Sequence, residues 1–226
     1  MSGDEPAYGG VSIRDFLLVC ASPAESPGDH VIPLVGGVGK TATTLSLYSH
    51  LRSNPGFRAV LLFGFAGAFP DRHRDSPGPL RRGELCVVGS DRFGDEGVET
   101  PSGFQDFGAP TWGAGQRLSD TGPFPANPRM AQQVAALLSV PIVRGVTVST
   151  CSGTEATSER MARRSGADVE TMEGAAAAYV CRQLELPMLH VRAISNWTGD
   201  RTRGDWNRGA ALDALHRAVN KLFARS

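Results

Sequence analysis

The 226-residue sequence has no surplus of either charge: 23 lysines and arginines are matched by 23 aspartates and glutamates. Such a balance offers no electrostatic footprint for nucleic acid or for an anionic membrane. Cysteine is scarce, with Cys20, Cys86, Cys151 and Cys181 widely spaced and no Cys-x-x-Cys pair. That argues against a disulfide framework or a zinc site and for reduced, mostly buried thiols in a cytoplasmic protein. Long apolar runs are missing too. The longest near the N-terminus, Phe16–Cys20, falls far short of the about 20 residues that cross a bilayer. No internal repeat is visible, and nothing points to metal, flavin or nicotinamide, so no cofactor is expected.

What remains is ordinary soluble composition, 41% hydrophobic and 20% charged, in a chain long enough to bury a substantial core. Short apolar runs at Asp15–Cys20, His30–Val35, Ala59–Phe63, Leu85–Val88, Ile142–Ser149 and Met188–Ile194 read as strands. Helical patterns fall at Lys40–Arg52, Arg129–Ser139, Glu155–Arg164, Met172–Glu185 and Asn207–Ala224, with Gly166 and Pro187 as stops. Fully apolar strands interleaved with helices predict an α/β layer fold with strands buried on both faces. Residues 1–11, which include Gly3, Pro6, Gly9 and Gly10, are expected to form a flexible tail, and residues 12–226 a single domain. The Gly/Pro-rich stretches Pro70–Pro79 and Gly103–Pro128 are expected to be surface loop.

In such folds functional groups gather at the C-terminal ends of strands. Glu173 stands at the mouth of a small-residue helix, where the helix dipole and free N–H groups favour a carboxylate anion. Such a group can accept hydrogen bonds from two adjacent hydroxyls, as a ribose diol offers, or it can simply stabilise the helix. Glu25, after the first strand, is a candidate general base or a solvated loop residue. Gly36-Gly37-Val38-Gly39-Lys40-Thr41 is similar to the phosphate loop of deviant Walker-A ATPases. However, Leu34 stands where the standard loop has glycine, and Val35 where the deviant class has lysine. No strand ending in a magnesium-holding aspartate follows. Gly64-Phe65-Ala66-Gly67-Ala68 contains no cation, and its glycines let backbone amides face a flat ligand. Asn196 ends the last strand, and Trp206 could close over a ring or pack at a helix start.

Taken together, these segments resemble the nucleoside phosphorylase/nucleosidase superfamily, and within it the futalosine hydrolase family. The match runs from about Ile13 to Phe223. Its most specific parts are Ser149-Thr150-Cys151-Ser152-Gly153-Thr154-Glu155-Ala156, Met172-Glu173-Gly174-Ala175 and Arg192-Ala193-Ile194-Ser195-Asn196. The Gly36–Gly39 and Gly64–Pro70 segments also fit. The resemblance implies a three-layer fold with a twisted mixed central sheet flanked by helices, and a homodimer or higher homo-oligomer acting on a small-molecule nucleoside. It puts Glu25 on the water-activating glutamate and Glu173 with Met172 on the ribose. Asn196 falls on the residue that grips purine N7, and Trp206 on an aromatic lining the nucleoside pocket. Phe65, Ala66, Gly67 and Ser195 complete the expected substrate contacts.

Asn196 sets the expected base. With N7 protonated, a 6-oxopurine presents one donor and one acceptor (O6), which a carboxamide matches. Protonated adenine presents two donors and suits the aspartate of adenine-directed members. The expected reaction is therefore hydrolysis of a hypoxanthine nucleoside such as futalosine, in menaquinone biosynthesis. Phe65 stands where purine phosphorylases keep a phosphate-binding arginine, which favours water as nucleophile, although Arg72, His73 and Arg74 lie nearby. The segment from Glu25 to Val35 is short, with Pro27 and Gly28 replacing the helix usual after the catalytic glutamate. An adenine-directed nucleosidase, a phosphorylase, a deviant P-loop ATPase and a non-catalytic nucleoside-binding protein are the alternatives.

Overall fold

The structure, a computed structural model, describes residues 6–28, 31–70, 80–113, 115–200 and 206–223. Its centre is a mixed sheet built on three long inner strands: β5 (Ala59–Ala68), β6 (Leu85–Asp91) and β12 (Met188–Trp197). Strand β12 runs parallel to β5 and antiparallel to β6. On the far side of β5 lie β3 (Phe16–Cys20) and β4 (Leu34–Val35), both parallel. Beyond β6 come β10 (Ile142–Thr147) and β11 (Val169–Thr171), also parallel, and β9 (Phe124–Pro125) adds to β6 antiparallel. One end of the sheet curls round on itself, so that β11 also pairs antiparallel with β5.

Alternation along β3 and β5 feeds two cores. Phe16, Leu61 and Phe63 face one side, packing with Met130 and Val134 of α2 (Pro128–Leu138) and Leu215, Val219 and Leu222 of α5 (Arg208–Phe223). Leu17, Val19, Val60 and Leu62 face the other, against Leu47 and Leu51 of α1 (Lys40–Ser53) and Ala177 and Val180 of α4 (Gly174–Gln183). This is the expected three-layer arrangement. A satellite cluster seats α3 (Glu155–Ser165) through Met161 and Ala162 on Val146 and Val148. Local chemistry sets the helix ends. Asn127 accepts the Met130 N–H at 3.1 Å to cap α2, and α3 starts on Thr154 and stops at Gly166 with φ of 63°.

Several boundaries differ from expectation. Residues 1–5 of the expected tail lie outside the described residues, but β1 (Ala7–Tyr8) and β2 (Val11–Ser12) form a hairpin. Tyr8 is buried: its ring packs on Phe16 and Phe223, and its hydroxyl donates to the Leu222 carbonyl at 3.0 Å. The glycines there make the turn rather than a free end. Of the strand expected at His30–Val35, His30 lies outside the described residues and only Leu34 and Val35 pair. Ile32 is 91% exposed, and Pro33 has no N–H to donate. The loop expected after Phe63 is instead strand to Ala68, because β12 pairs it residue by residue and β11 pairs it at Gly67 and Ala68. The 103–128 region contains β8 (Gly103–Asp106), zipped to β7 (Gly97–Thr100), and β9. Of Pro70–Pro79, only Pro70 is described.

The hairpin makes a prediction. Tyr8→Ala should cost on the order of 3 kcal/mol in urea unfolding. A loss below about 0.5 kcal/mol, the size of an ordinary surface change, would mean the N-terminal hairpin is dispensable.

Candidate active site

The parallel strands β3, β4, β5 and β12 end at one rim of the sheet, and the segments that follow them converge there. After β3, Ser22 and Pro23 start a single 3-10 turn that ends at Glu25. The turn swings the carboxylate back into the protein, where it is 4% exposed. Its Oε2 accepts the N–H of Ala21 at 2.9 Å and of Ser22 at 3.0 Å, and its Oε1 accepts the N–H of Phe65 at 3.1 Å. A carboxylate has about four acceptor positions, so these three backbone donors pin the group and leave Oε1 one more to offer. The short segment after Glu25 thus does without the usual helix, because the turn itself and β5 hold the side chain.

Glu173 precedes α4, whose helix begins at Gly174 rather than at Met172 as expected. Its carboxylate makes no capping bond to its own helix. Instead Oε1 accepts the Gly39 N–H at 3.1 Å, and Oε2 accepts Arg192 Nη2 at 3.3 Å. The glycine-rich turn at 36–39 therefore presents a backbone donor to a protein carboxylate. Its Lys40 is engaged elsewhere, with Nζ 2.7 Å from Asp95 and 2.6 Å from Glu96, which does not suit a phosphate-binding lysine.

Arg192 ties these parts together. It is 1% exposed, in the middle of β12, and its Nη1 donates to the Phe65 carbonyl at 3.1 Å. Phe65 thus binds Glu25 through its N–H and Arg192 through its C=O. Gly64 makes room for the junction: a Cβ there would lie 2.6 Å from Arg192 Nη1 and 2.8 Å from Glu25 Oε1. Arg192 Nε donates to His190 Nε2 at 2.6 Å. Burial, reinforced by the neighbouring Arg192 charge, holds His190 well below its ordinary pKa, so the ring is neutral with its proton on Nδ1. That nitrogen lies 3.7 Å from Asp91 Oδ2, a buried atom with no hydrogen-bond partner among the described residues. Burial raises Asp91 from 3.8 to about 7, against the lowering effect of the Thr147 hydroxyl and of Arg192.

Asn196 follows a register shift between Ile194 and Asn196 in β12. Its Nδ2 donates to the Trp197 carbonyl at 2.7 Å, and its Oδ1 accepts the Ser195 hydroxyl at 2.7 Å. The carbonyl can only accept, so it dictates which end of the amide faces it. One N–H and one lone pair of the amide are left for a ligand. Trp206 bridges to Asn196 across the chain, and the Asn207 N–H donates to the Ser195 carbonyl at 2.8 Å.

All nine expected residues, Glu25, Phe65, Ala66, Gly67, Met172, Glu173, Ser195, Asn196 and Trp206, line a single cavity of about 530 Å³. Sequence reasoning missed Arg192 and the Gly39 N–H. Arg192 had a signal: a charged residue inside an apolar strand must find a partner when buried. Gly39 had none. Among the described residues no three His, Cys, Asp or Glu side chains gather to hold a metal ion, and no helix is long and apolar enough to cross a membrane. Arg72, His73 and Arg74 lie outside the described residues. Cys20, Cys86 and Cys181 are buried, their thiols pushed up to about 12 mainly by burial; Cys151 lies at the cavity wall.

A family model described as the Phosphorylase superfamily matches residues 24–225. The chain belongs to this superfamily. It is 34% identical over 197 residues to the futalosine hydrolase of Thermus thermophilus, covering 87% of this chain and 83% of that protein. A futalosine hydrolase mutant of Helicobacter pylori superposes with a TM-score of 0.70 at 16% identity, over 92% of this chain and 97% of the other. The 5′-methylthioadenosine/S-adenosylhomocysteine nucleosidase of Campylobacter jejuni gives 0.67 at 21% identity, over 92% and 96%. At these identities the two structures speak for the superfamily fold alone.

The buried Asp91 makes a pH prediction. Its folded pKa is raised, so its contribution to stability is full below the ordinary 3.8 and is lost as pH rises through about 7. Asp91→Asn should therefore gain stability relative to the parent between about pH 4 and 7, by up to about 1.4 kcal/mol per pH unit, and level off above. A stability difference constant with pH in chemical unfolding would show that Asp91 does not titrate there.

Proposed function

We propose that this chain is a purine nucleosidase that hydrolyses the N-glycosidic bond of a 6-oxopurine nucleoside, futalosine foremost, and releases hypoxanthine in a step of menaquinone biosynthesis. The observation that supports this most directly is the fixed amide of Asn196. The Trp197 carbonyl and the Ser195 hydroxyl turn it so that one lone pair of Oδ1 and one N–H of Nδ2 remain for the base. Oδ1 accepts from protonated N7, and Nδ2 donates to O6. Protonated adenine would set its amino group against the amide N–H, leaving a buried donor unpaired at about 1–3 kcal/mol.

The other groups take the remaining parts of the reaction. Breaking the bond builds positive charge on the sugar and negative charge on the base. Glu25 Oε1 accepts a proton from water as the water oxygen bonds to the anomeric carbon and the bond to the base nitrogen breaks; the base takes a proton at N7 from solvent, leaves as neutral hypoxanthine against Asn196, and Glu25 then returns its proton to solvent. Glu173, with Met172 beside it, holds the ribose hydroxyls, and its negative charge lies close to the developing cation. Phe65, Ala66 and Gly67 floor the base site, and Trp206 closes it. Phe65 offers no cation for phosphate, which favours water as the nucleophile.

The active form is a homodimer or higher homo-oligomer in the cytoplasm. Supporting this are the exposed apolar side chains Ile32, Val35, Val38, Leu45 and Tyr48, the last two on α1, and the burial of the thiols of Cys20, Cys86 and Cys181. Val38 is both 60% exposed and part of the cavity wall, so a second copy covering this face would finish the site.

Glu25→Gln should reduce kcat by on the order of 10²–10⁴-fold with KM little changed; near-normal turnover would place the base elsewhere. Futalosine should be cleaved faster than methylthioadenosine in a base-release assay, and added phosphate should neither accelerate the reaction nor yield a sugar 1-phosphate. The opposite results would shift the assignment to an adenine nucleosidase or to a phosphorylase.

A further inference from the structure

His190 is buried in β12, two residues before Arg192, and the proposed reaction gives it no part. We infer that His190 is a positioning residue for the sugar: the lone pair of its Nε2 holds Arg192 in the orientation that keeps the guanidinium on Glu173, the carboxylate proposed to bind the ribose hydroxyls. The inference rests on the nucleosidase reading and adds to it a residue behind the cavity wall.

Alternation along β12 puts the two side chains together. Leu189, Val191 and Ala193 join the core on one face of the sheet, so His190 and Arg192 point to the other. There they stand beside Leu62 and Gly64, their partners on β5. Met188 and Leu62 belong to the apolar core of that face, so an imidazole and a guanidinium placed in it must satisfy each other. Arg192 Nε donates to His190 Nε2 at 2.6 Å. The ring is wedged as well. A Cβ on Gly174 would lie 2.5 Å from its Cε1, the atom between the two ring nitrogens, so the start of α4 closes on that edge. The residue next to Glu173 thus rests on the ring that orients the arginine of Glu173.

A neutral imidazole suits this place. Nε2 accepts from Arg192 and so bears no hydrogen, which leaves the ring its N–H at Nδ1, 3.7 Å from Asp91 Oδ2. A charged ring would set a second N–H against that of Arg192 Nε. His190 therefore fixes the guanidinium without drawing on its charge. The Phe65 carbonyl, also neutral, takes Nη1 at 3.1 Å, and Glu173 Oε2 takes Nη2 at 3.3 Å. The guanidinium is planar and rigid, so holding Nε and Nη1 aims Nη2. Among the described residues Glu173 is the carboxylate hydrogen-bonded to Arg192. A second carboxylate at position 190 would divide the charge between two partners.

Two amides test which ring nitrogen matters, because a glutamine amide reaches to the place of Nε2 and an asparagine amide only to that of Nδ1. The readout is the ratio of kcat/KM for futalosine to that for 2′-deoxyfutalosine, taken relative to the parent so that the intrinsic lability of the deoxy sugar cancels. His190→Asn should lower this ratio at least about fivefold and His190→Gln should keep it within about twofold, on the scale of one hydrogen bond to a charged group. A role confined to packing would lower Tm and leave the ratio at the parent value in both variants. An unchanged ratio in folded His190→Asn, or a loss in His190→Gln equal to that in His190→Asn, would overturn the positioning role. Heteronuclear NMR of the imidazole nitrogens in the parent protein at neutral pH covers a variant that does not fold. A hydrogen on Nδ1 and none on Nε2 is expected, and a hydrogen on Nε2 would overturn the inference. No base release from futalosine by the parent protein would instead overturn the nucleosidase reading and the sugar role with it.

Discussion

A guanidinium shut away from water in the middle of a β-strand must have every hydrogen bond answered, since an uncompensated buried charge costs several kcal/mol. Arg192 answers with Glu173, the Phe65 carbonyl and His190, and those three obligations organise the site. Through Glu173 it fixes the entrance of α4. Through the Phe65 peptide it sets the N–H that grips Glu25. Through His190 it reaches the buried carboxylate of Asp91. Four segments distant in sequence are brought into register by one cation that has nowhere else to go.

That cation also separates the two carboxylates that share the cavity. Glu173 is engaged by a full charge and one backbone donor, an arrangement suited to holding a group in place. Among the described residues, Glu25 is engaged by neutral backbone N–H groups and keeps an acceptor position, as the proposed reaction requires of it. The difference arises from which strand each follows. The roles proposed for the two glutamates follow from this difference in partners.

Absent side chains matter as much as present ones. Gly64 leaves room for Arg192 to meet the Glu25 region, and Gly67 leaves room beside Asn196 and Thr198. Gly174 lets Asp91 and His190 press against the start of α4, where a Cβ would sit 2.0 Å from Asp91 Oδ2 and 2.5 Å from His190 Cε1. Close backbone approach on one strand, β5, and one helix, α4, thus shapes the cavity and its surroundings.

The three-layer class, the inner strands and most helices were legible in the sequence, because burial on both sheet faces writes itself as continuous apolar runs and helix ends as caps and glycines. The nine cavity residues were legible as well, since they follow those strands in motifs whose order survives. Strand lengths were not. Gly64, Phe65 and Gly67 look like loop until β11 and β12 pair with them, and Tyr8 looks like tail until Phe16 and Phe223 receive it. Nor was the partner of Glu173 visible: a helix-mouth carboxylate suggests its own helix, yet Gly39 and Arg192 take it. By itself the sequence determined which residue types stand at the strand ends, because those are local properties of composition and periodicity. Only the tertiary structure decided how the charges pair and which way the Asn196 amide turns, since both depend on hydrogen-bond partners supplied across the sheet.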